Sequence, residues 1–439
     1  MWKRLPARTR HAAVWLVCLG PFFYVSYGLA NYVAGLRAHV PSVVFNWESA
    51  IPFWAWTIFP YWSINVFYAL SLFVCRTKHE VRRHGLRLVT AQIVAVSSFI
   101  VTPLRFTFGE PQADGAAGVL FAALRGFDQP FNQAPSLHIA LAVILWDLYR
   151  RRLNHPVARA VLHLWTLLIC GSVLTTYQHH FIDIPTGALL GVLCVWMWPM
   201  ERVPSMLQVA RLTVEPQRTR LAALYGAGSL TSAALALVLG GAGLWLLWSS
   251  VALAMVALNY LLFGTYGFQK FDGGRASWAA RWLLWPYRLG ARINAHWWTR
   301  GQAESSAVAD GVHVGSLLRS GPARVQGLQL VDVCAELDPP RAPATGAVPM
   351  LDLSTPSPRA LRRAALQVEN TVRGGAAVLV CCALGYSRSA AAVATWLVMS
   401  GRARSVDEAI ERVRLARPQV VLRPTHVAAI KRAVAGSGS

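Results

Sequence analysis

Apolar residues in this chain of 439 residues fall in long unbroken runs rather than in narrow stripes. Eight runs, at about 11–33, 52–75, 86–104, 135–149, 159–178, 181–200, 221–240 and 243–264, read as transmembrane helices, because a helix needs roughly 20 apolar residues to cross a bilayer. The fourth is short and opens at Pro135, a residue suited to a first helical turn. The first is long and lacks a small-residue cleavage site, so it reads as a retained helix rather than a signal peptide. After the eighth run the pattern changes. The segment Trp278–Arg288, followed by Trp297 and Trp298, mixes aromatic rings with arginine, which predicts an interfacial segment on the inner leaflet and not a ninth crossing. Residues 301–310 are small and polar and predict a linker. A soluble domain is expected after them. Within it a β-prone run, Ala376–Val380, precedes an apolar helix over Ala390–Met399.

Charge adds an expected orientation. Lys3, Arg4, Arg8 and Arg10 precede the first run, and Arg76, Lys78, Arg82, Arg83 and Arg87 separate the second from the third. Arg150, Arg151, Arg152 and Arg159 follow the fourth, and Arg202, Arg211, Arg218 and Arg220 follow the sixth. The alternate loops carry few cations or balance them, as Arg105 and Arg125 are balanced by Glu110, Asp114 and Asp128. The positive-inside rule then places both termini in the cytoplasm, which describes a multi-pass integral protein of a bacterial inner membrane. The formal net charge is +22, and there are 18 Trp. No compact basic domain or base-stacking motif accompanies this charge, so nucleic acid is excluded as a partner and membrane lipids are expected. Cys18, Cys75, Cys170 and Cys194 lie in apolar runs, while Cys334, Cys381 and Cys382 lie in the soluble part. That distribution is not a disulfide framework.

Candidate chemistry is densest at Val380-Cys381-Cys382-Ala383-Leu384-Gly385-Tyr386-Ser387-Arg388-Ser389. A cysteine, five residues and an arginine can capture a phosphate and attack it. Cys382 is the expected nucleophile, acting as a thiolate. The backbone N–H groups of Ala383, Leu384, Gly385, Tyr386, Ser387 and Arg388 are expected to wrap the phosphate oxygens. A helix starting near Ser389 adds its positive end, and the planar fork of Arg388 clamps two oxygens. Gly385 gives the loop room to turn.

A second constellation lies in the apolar part. Pro135-Ser136-Leu137-His138 opens the fourth run, and Gln178-His179-His180-Phe181-Ile182-Asp183 joins the fifth to the sixth. The expected topology puts both at the external face. A histidine oriented by a carboxylate four positions on can present its other nitrogen to phosphorus. His179 is thus the expected nucleophile, Asp183 its orienting partner and His138 the general acid. His180 is the alternative to His179, and zinc held by two histidines and an aspartate is the alternative to phosphoryl transfer.

Two family resemblances rest on these residues. From about residue 95 to 200 the chain resembles the type 2 phosphatidic acid phosphatase superfamily, in particular its inositolphosphorylceramide and sphingomyelin synthase branch, through Pro135-Ser136-Leu137-His138 and the His179 to Asp183 spacing. The superfamily's Lys and Arg-Pro motif is not recognisable, although Arg105 lies where a phosphate-binding cation is expected, and Val173 stands where its third motif has Arg. Residues 311–436 resemble a dual-specificity protein phosphatase of the cysteine-dependent class. That resemblance implies an opening strand at Val312–Ser316, a second at Leu328–Val333, and a strand and acid loop at Val348–Asp352. It makes Asp352, 30 positions before Cys382, the general acid, with Asp338 as the alternative, and Ser389 the group that helps Cys382 leave. The family usually has His where this chain has Cys381, and the alternatives for that cysteine are a protective disulfide with Cys382 or a mark of redox control.

The expected architecture is a polytopic α-helical membrane domain of about eight helices followed by a soluble α/β cysteine-phosphatase domain. Residues 1–200 form a six-helix phosphatidic acid phosphatase-like domain, 201–265 two additional helices, 266–310 an interfacial segment and linker, and 311–439 the cytoplasmic phosphatase. The expected function is twofold. The soluble site hydrolyses a phosphomonoester on a protein or a lipid. The membrane site hydrolyses a lipid phosphate or transfers a head group. Neither site is expected to need a cofactor or metal. The alternative is a membrane-anchored phosphate-binding or sensory protein with one or both sites inactive.

Overall fold

The computed structural model describes residues 6–436 apart from 110, 127, 202, 272, 322–325 and 341–343. Lys3, Arg4, Glu110 and Arg202 lie outside the described residues. The chain divides into two compact units, Met1–Gln208 and Val209–Ser439.

The first unit is helical. Its helices are α1 (Ala7–Gly35), α2 (Ile58–Val74), α3 (Lys78–Val101), α4 (Gly115–Arg125), α5 (Leu137–Arg150), α6 (Pro156–Thr175) and α7 (Asp183–Met197). The second unit opens with α8 (Pro216–Leu239) and α9 (Leu246–Leu258), which pack as a hairpin. Among the described residues, six helical segments are long and apolar enough to cross a membrane: Ala7–Gly35, Ala55–Val74, Lys78–Val101, Pro156–Thr175, Pro216–Leu239 and Gly241–Phe268. All eight expected runs are helical, but the fourth and sixth fall short of that length. The reason is local. Ser136 caps α5 through a bond from the Ile139 N–H, and Asp183 opens α7, so polar site residues take up the turns that would have lengthened the apolar core.

Helices α5 and α7 instead form the packed centre of the first unit. A Cβ at Gly187 would lie 2.4 Å from the Ser136 carbonyl oxygen, and one at Gly191 2.7 Å from that of Ala140. Only glycine permits that backbone approach. The opposite end of α5 is tied by charge. Asp147 is fully buried and is met by Arg87 at 2.8 Å, Arg150 at 2.6 Å and Arg151 at 3.1 Å. A buried carboxylate survives only when paired in this way. Arg151 and Arg152 also reach Glu201 and Glu80. Arg87, Arg150, Arg151 and Arg152, counted above among the loop cations, are therefore engaged within the protein.

In the second unit α10 (Trp278–Leu283) and α11 (Trp285–Trp298) lead into a five-stranded mixed sheet. Its strands are β1 (Ser305–Ala309), β2 (Val312–Ser316), β3 (Gln329–Cys334), β4 (Gly346–Met350) and β5 (Val378–Cys382), in the order β1-β2-β5-β3-β4. Only the β1–β2 pair is antiparallel. Helices α12 (Pro358–Arg373), α13 (Arg388–Met399), α14 (Val406–Ala416) and α15 (Pro424–Ala435) cover one face. Leu361, Ala364, Ala365 and Val368 are the buried positions of α12, a helical stripe at intervals of three and four.

Two expectations need correction here. Residues 301–310 are not a linker throughout, since Ser305–Ala309 pairs with β2 as an edge strand. The aromatic segment is also not merely interfacial. Ala295 of α11 is buried in one cluster with Leu317, Leu330 and Leu379, and Arg288 pairs with Asp338 at 2.8 Å. Lys270 pairs with buried Asp332 at 2.5 Å. The sheet face not covered by α12–α15 is therefore closed by residues upstream of 305.

Candidate functional site

The C-terminal candidate site sits where three parallel strands end. Glu336 follows β3, Asp352 follows β4 and Cys382 ends β5. The carboxyl ends of parallel strands are the natural binding edge of such a sheet. Successive residues of β5 point to opposite faces, so Cys382 joins the cluster under α12 and α13 while Cys381 joins the opposite cluster with Leu379. That opposition separates the two thiols, and all the cysteines are free. The disulfide alternative for Cys381 and Cys382 is not present. Burial pushes the Cys381 thiol well up, with Asp332 adding to it.

Cys382 differs. Its Sγ accepts the Gly385 N–H at 3.2 Å and lies 3.4 Å from the Ser389 hydroxyl. Burial alone would raise this thiol, but the Arg388 charge and the hydrogen bonds from Ser389 outweigh it, and the net shift is downward. The loop that follows is pinned from outside. The Ser316 hydroxyl donates to Ala383 O at 2.7 Å, the Tyr386 hydroxyl donates to Trp298 O at 2.8 Å, and the Val421 N–H donates to Tyr386 O at 3.1 Å. Gly385 has φ of +78°, and a Cβ there would lie 2.6 Å from the Gly315 carbonyl carbon. Any other residue would be both strained and blocked. Ser387 precedes α13, and Arg388 is its first residue.

Arg388 is fixed by a residue that sequence reasoning missed. Its two terminal nitrogens donate to Glu336 at 2.8 and 2.7 Å, the planar bidentate geometry. One also donates to Met350 O at 3.0 Å, and the other meets Asp352 at 2.9 Å. Burial would raise the Glu336 carboxyl, but Arg388 holds it well below the usual carboxylate range. The Arg388 Nε–H is buried without a partner, a donor available to a bound anion. Burial raises the Asp352 carboxyl, Arg388 pulls it down, and Glu336 pushes it up again, for a net rise. Asp338, the alternative acid, is committed to Arg288 and to the Ala276 N–H. Nothing in the sequence around Glu336 signals its role, because no fixed spacing relates the end of β3 to a loop after β5.

In the first unit the His179 Nδ1 lies 3.0 Å from Asp183, and its Nε2 lies 3.2 Å from the Ser136 hydroxyl. His179 and His138 both line a cavity of about 260 Å³ that Tyr27, Tyr61 and Asp128 also face. The His138 ring stacks on Tyr61 at 4.1 Å, and its Nε2 is buried without a partner. His180 is used elsewhere. Its Nε2 accepts the Thr107 N–H at 3.2 Å and its Nδ1 meets the buried Glu48 carboxylate at 2.8 Å. Arg105 is not at the cavity. It is exposed, because the neighbouring Phe106 turns inward to lie 4.5 Å from the His180 ring, and adjacent residues of an extended segment face opposite ways. The described residues that line the cavity include no Arg or Lys. Glu48 and Thr107 were not singled out from sequence, Ser136 entered only as part of the Pro135–His138 motif, and Asp128 only as a loop charge. A lone acid within the aromatic stretch Phe45-Asn46-Trp47-Glu48 was the available signal for the first.

Comparison with known proteins bears on the second unit. Residues 343–433 match the family described as dual specificity phosphatase, catalytic domain. Human DUSP28 is 27% identical over 31% of this chain and 97% of its own, with a TM-score of 0.28. Tk-PTP in its active form is 24% identical over 30% of this chain and 97% of its own, with a TM-score of 0.27. PTPMT1, solved in complex with PI(5)P, is 18% identical over 31% of this chain and 100% of its own, with a TM-score of 0.28. No curated protein matches the chain. The chain thus carries a dual-specificity-type phosphatase domain in its second unit, and that domain fits cysteine-based phosphomonoester hydrolysis.

Proposed function

We propose that the second unit hydrolyses phosphomonoesters through a phosphocysteine. The observation that carries this reading is the Cys382 sulfur held against Gly385 N–H and the Ser389 hydroxyl beside an Arg388 locked by Glu336, a setting that draws the thiol pKa down. The Cys382 thiolate attacks phosphorus and the P–O ester bond breaks. Asp352 gives its proton to the leaving oxygen. Arg388, through its free Nε–H and a fork aligned by Glu336, neutralises the equatorial oxygens as charge builds. Asp352 then takes a proton from water, the water attacks phosphorus, and the P–S bond breaks. The Ser389 hydroxyl steadies the departing thiolate. Cys381, on the far face of β5, takes no part.

Activity needs Cys382 ionised and Asp352 protonated, so the rate rises with pH through the first group and falls through the second. Asp352→Asn should therefore remove the alkaline limb of the kcat/KM profile. It should also slow alkyl phosphates by about 10²-fold or more while slowing aryl phosphates much less. An unchanged alkaline limb would remove Asp352 from the mechanism. Arg388→Lys should cost at least ~10²-fold in kcat, because a point charge cannot reproduce the fork.

A second reading concerns the first unit, and the His179–Asp183 contact beside His138 favours it. Asp183 holds the imidazole so that Nδ1 carries the proton, which leaves Nε2 to attack a lipid phosphate once the Ser136 hydroxyl turns aside. The unpartnered nitrogen of His138 supplies the proton to the leaving group. With no cation among the described lining residues, the phosphate oxygens are met by neutral donors such as Tyr61 and Asn132. Water as second acceptor gives hydrolysis, and a lipid hydroxyl gives head-group transfer.

A further inference from the structure

The mouth of the Cys382 site does not open on bare protein surface. A cavity of about 430 Å³ adjoins it, and the two sides of its wall come from different parts of the chain. Asp352 and Leu384 form the catalytic side, while Tyr225 of α8, Leu253 of α9, and Tyr287 and Gly290 of α11 form the other. Both α8 and α9 belong to segments long and apolar enough to cross a membrane. The same hairpin holds the acid loop. The Tyr260 hydroxyl donates to Asp352 O at 2.9 Å, and the Gln217 side-chain amide donates to Leu353 O. Leu353 has φ of +51°, a left-handed conformation that a branched side chain keeps only when its surroundings impose it.

Helix α11 has two faces. Tyr287 and Gly290 look into the cavity. Trp285, Leu289, Ile293 and Trp297 recur every four residues on the other side and are 51%, 43%, 62% and 63% exposed. An exposed apolar stripe with Trp at both ends, flanked by the exposed Arg292, is the pattern of a helix lying in a bilayer surface. The cavity is thus bounded by two bilayer-length helices and one interfacial helix, and it ends at the phosphate loop.

We infer that the substrate of the Cys382 site is a long-chain lipid bearing a phosphomonoester, which enters from the bilayer between α8, α9 and α11 and presents its phosphate to Cys382 and Arg388. The inference rests on the phosphatase reading above and narrows it. The phosphate lies at the depth of the interfacial helix while the first carbons of the chain lie against Leu253 and Tyr225. The loop offers one arginine and no lysine, which suits a single phosphate. A phosphopeptide would have to pass its polar backbone along a mostly apolar wall, where Ser249 and Asn294 offer few partners, at the cost of unpaired amide groups.

The test uses the full chain in phosphatidylcholine vesicles, with activity taken as the difference from Cys382→Ser so that turnover at the first unit cancels. The probes are phosphatidic acid and hexadecyl phosphate in the vesicles, a phosphotyrosine peptide, and the soluble aryl ester para-nitrophenyl phosphate. The expected result is a kcat/KM for the vesicle lipids at least tenfold above that for the peptide. Gly290→Phe narrows the cavity without a backbone clash, since a Cβ at Gly290 meets nothing within 4 Å. It should lower the ratio of lipid to aryl phosphate turnover at least tenfold. Because the readout is a ratio, a partly folded variant does not mimic it. Peptide turnover equal to or above that of the lipids, or an unchanged ratio in Gly290→Phe, would overturn the inference and leave the phosphatase standing. Absence of Cys382-dependent turnover with all four probes would overturn the phosphatase itself.

Discussion

Replacing Cys382 by serine in the full chain should lower para-nitrophenyl phosphate turnover by roughly 10⁴-fold or more, the scale on which loss of a nucleophile is felt. The substitution exchanges one atom in a site where the Gly385 N–H and the Ser389 hydroxyl already meet the sulfur. Folding and phosphate binding should therefore persist. What is lost is the ionised nucleophile, since the environment that lowers a thiol of ordinary pKa into the working range cannot ionise an alcohol to a comparable extent. Rapid-quench trapping after acid denaturation should find phosphate bound to the native protein at Cys382 and none in the variant. Undiminished turnover by Cys382→Ser would refute the mechanism. The full chain is the right material, because α11, Lys270 and Trp298 hold the sheet and the phosphate loop from outside residues 305–439. A fragment beginning at 305 would expose the buried face around Leu317 and Leu379 and strand Asp332 without its lysine.

His179→Ala should abolish covalent phosphate at the first unit altogether. With radiolabelled lipid phosphate and a Cys382→Ser background, the otherwise native chain should yield an acid-labile, base-stable phosphohistidine. His138→Ala should still form it, only slowly, because His138 serves the leaving group and not the attack. His180→Ala should leave labelling possible, since both ring nitrogens of His180 are already engaged, by Thr107 and Glu48. Labelling should survive chelation, because the attacking atom belongs to a side chain and not to a metal-bound water. Turnover that chelator abolishes and metal restores, with no labelled protein, would instead assign His138, His179 and Asp183 to zinc.

Much of the C-terminal candidate site was legible because its key residues are contiguous. Cys382, Gly385, Arg388 and Ser389 lie within one strand–loop–helix turn, and local geometry alone sets their mutual positions. The apolar runs were legible for a related reason, since burial in a bilayer depends on composition summed along the chain. The length of α5 and α7 was not, because Ser136 and Asp183 spend their turns on capping and on His179, which hydropathy does not register. Arg105 shows the same limit. Its position in the chain suited a phosphate ligand, but the inward turn of Phe106 toward His180 sent it to the surface. Glu336 is the clearest case of a residue that only tertiary structure reveals. It stands 52 positions from Arg388, and the two meet because β3 lies beside β5 in the sheet. Strand order is a global outcome of packing, so no local pattern announces it. Cys381 and Cys382 complete the contrast: the sequence makes them neighbours, and the pleat of β5 puts one thiol in a closed core and the other under the charge of Arg388.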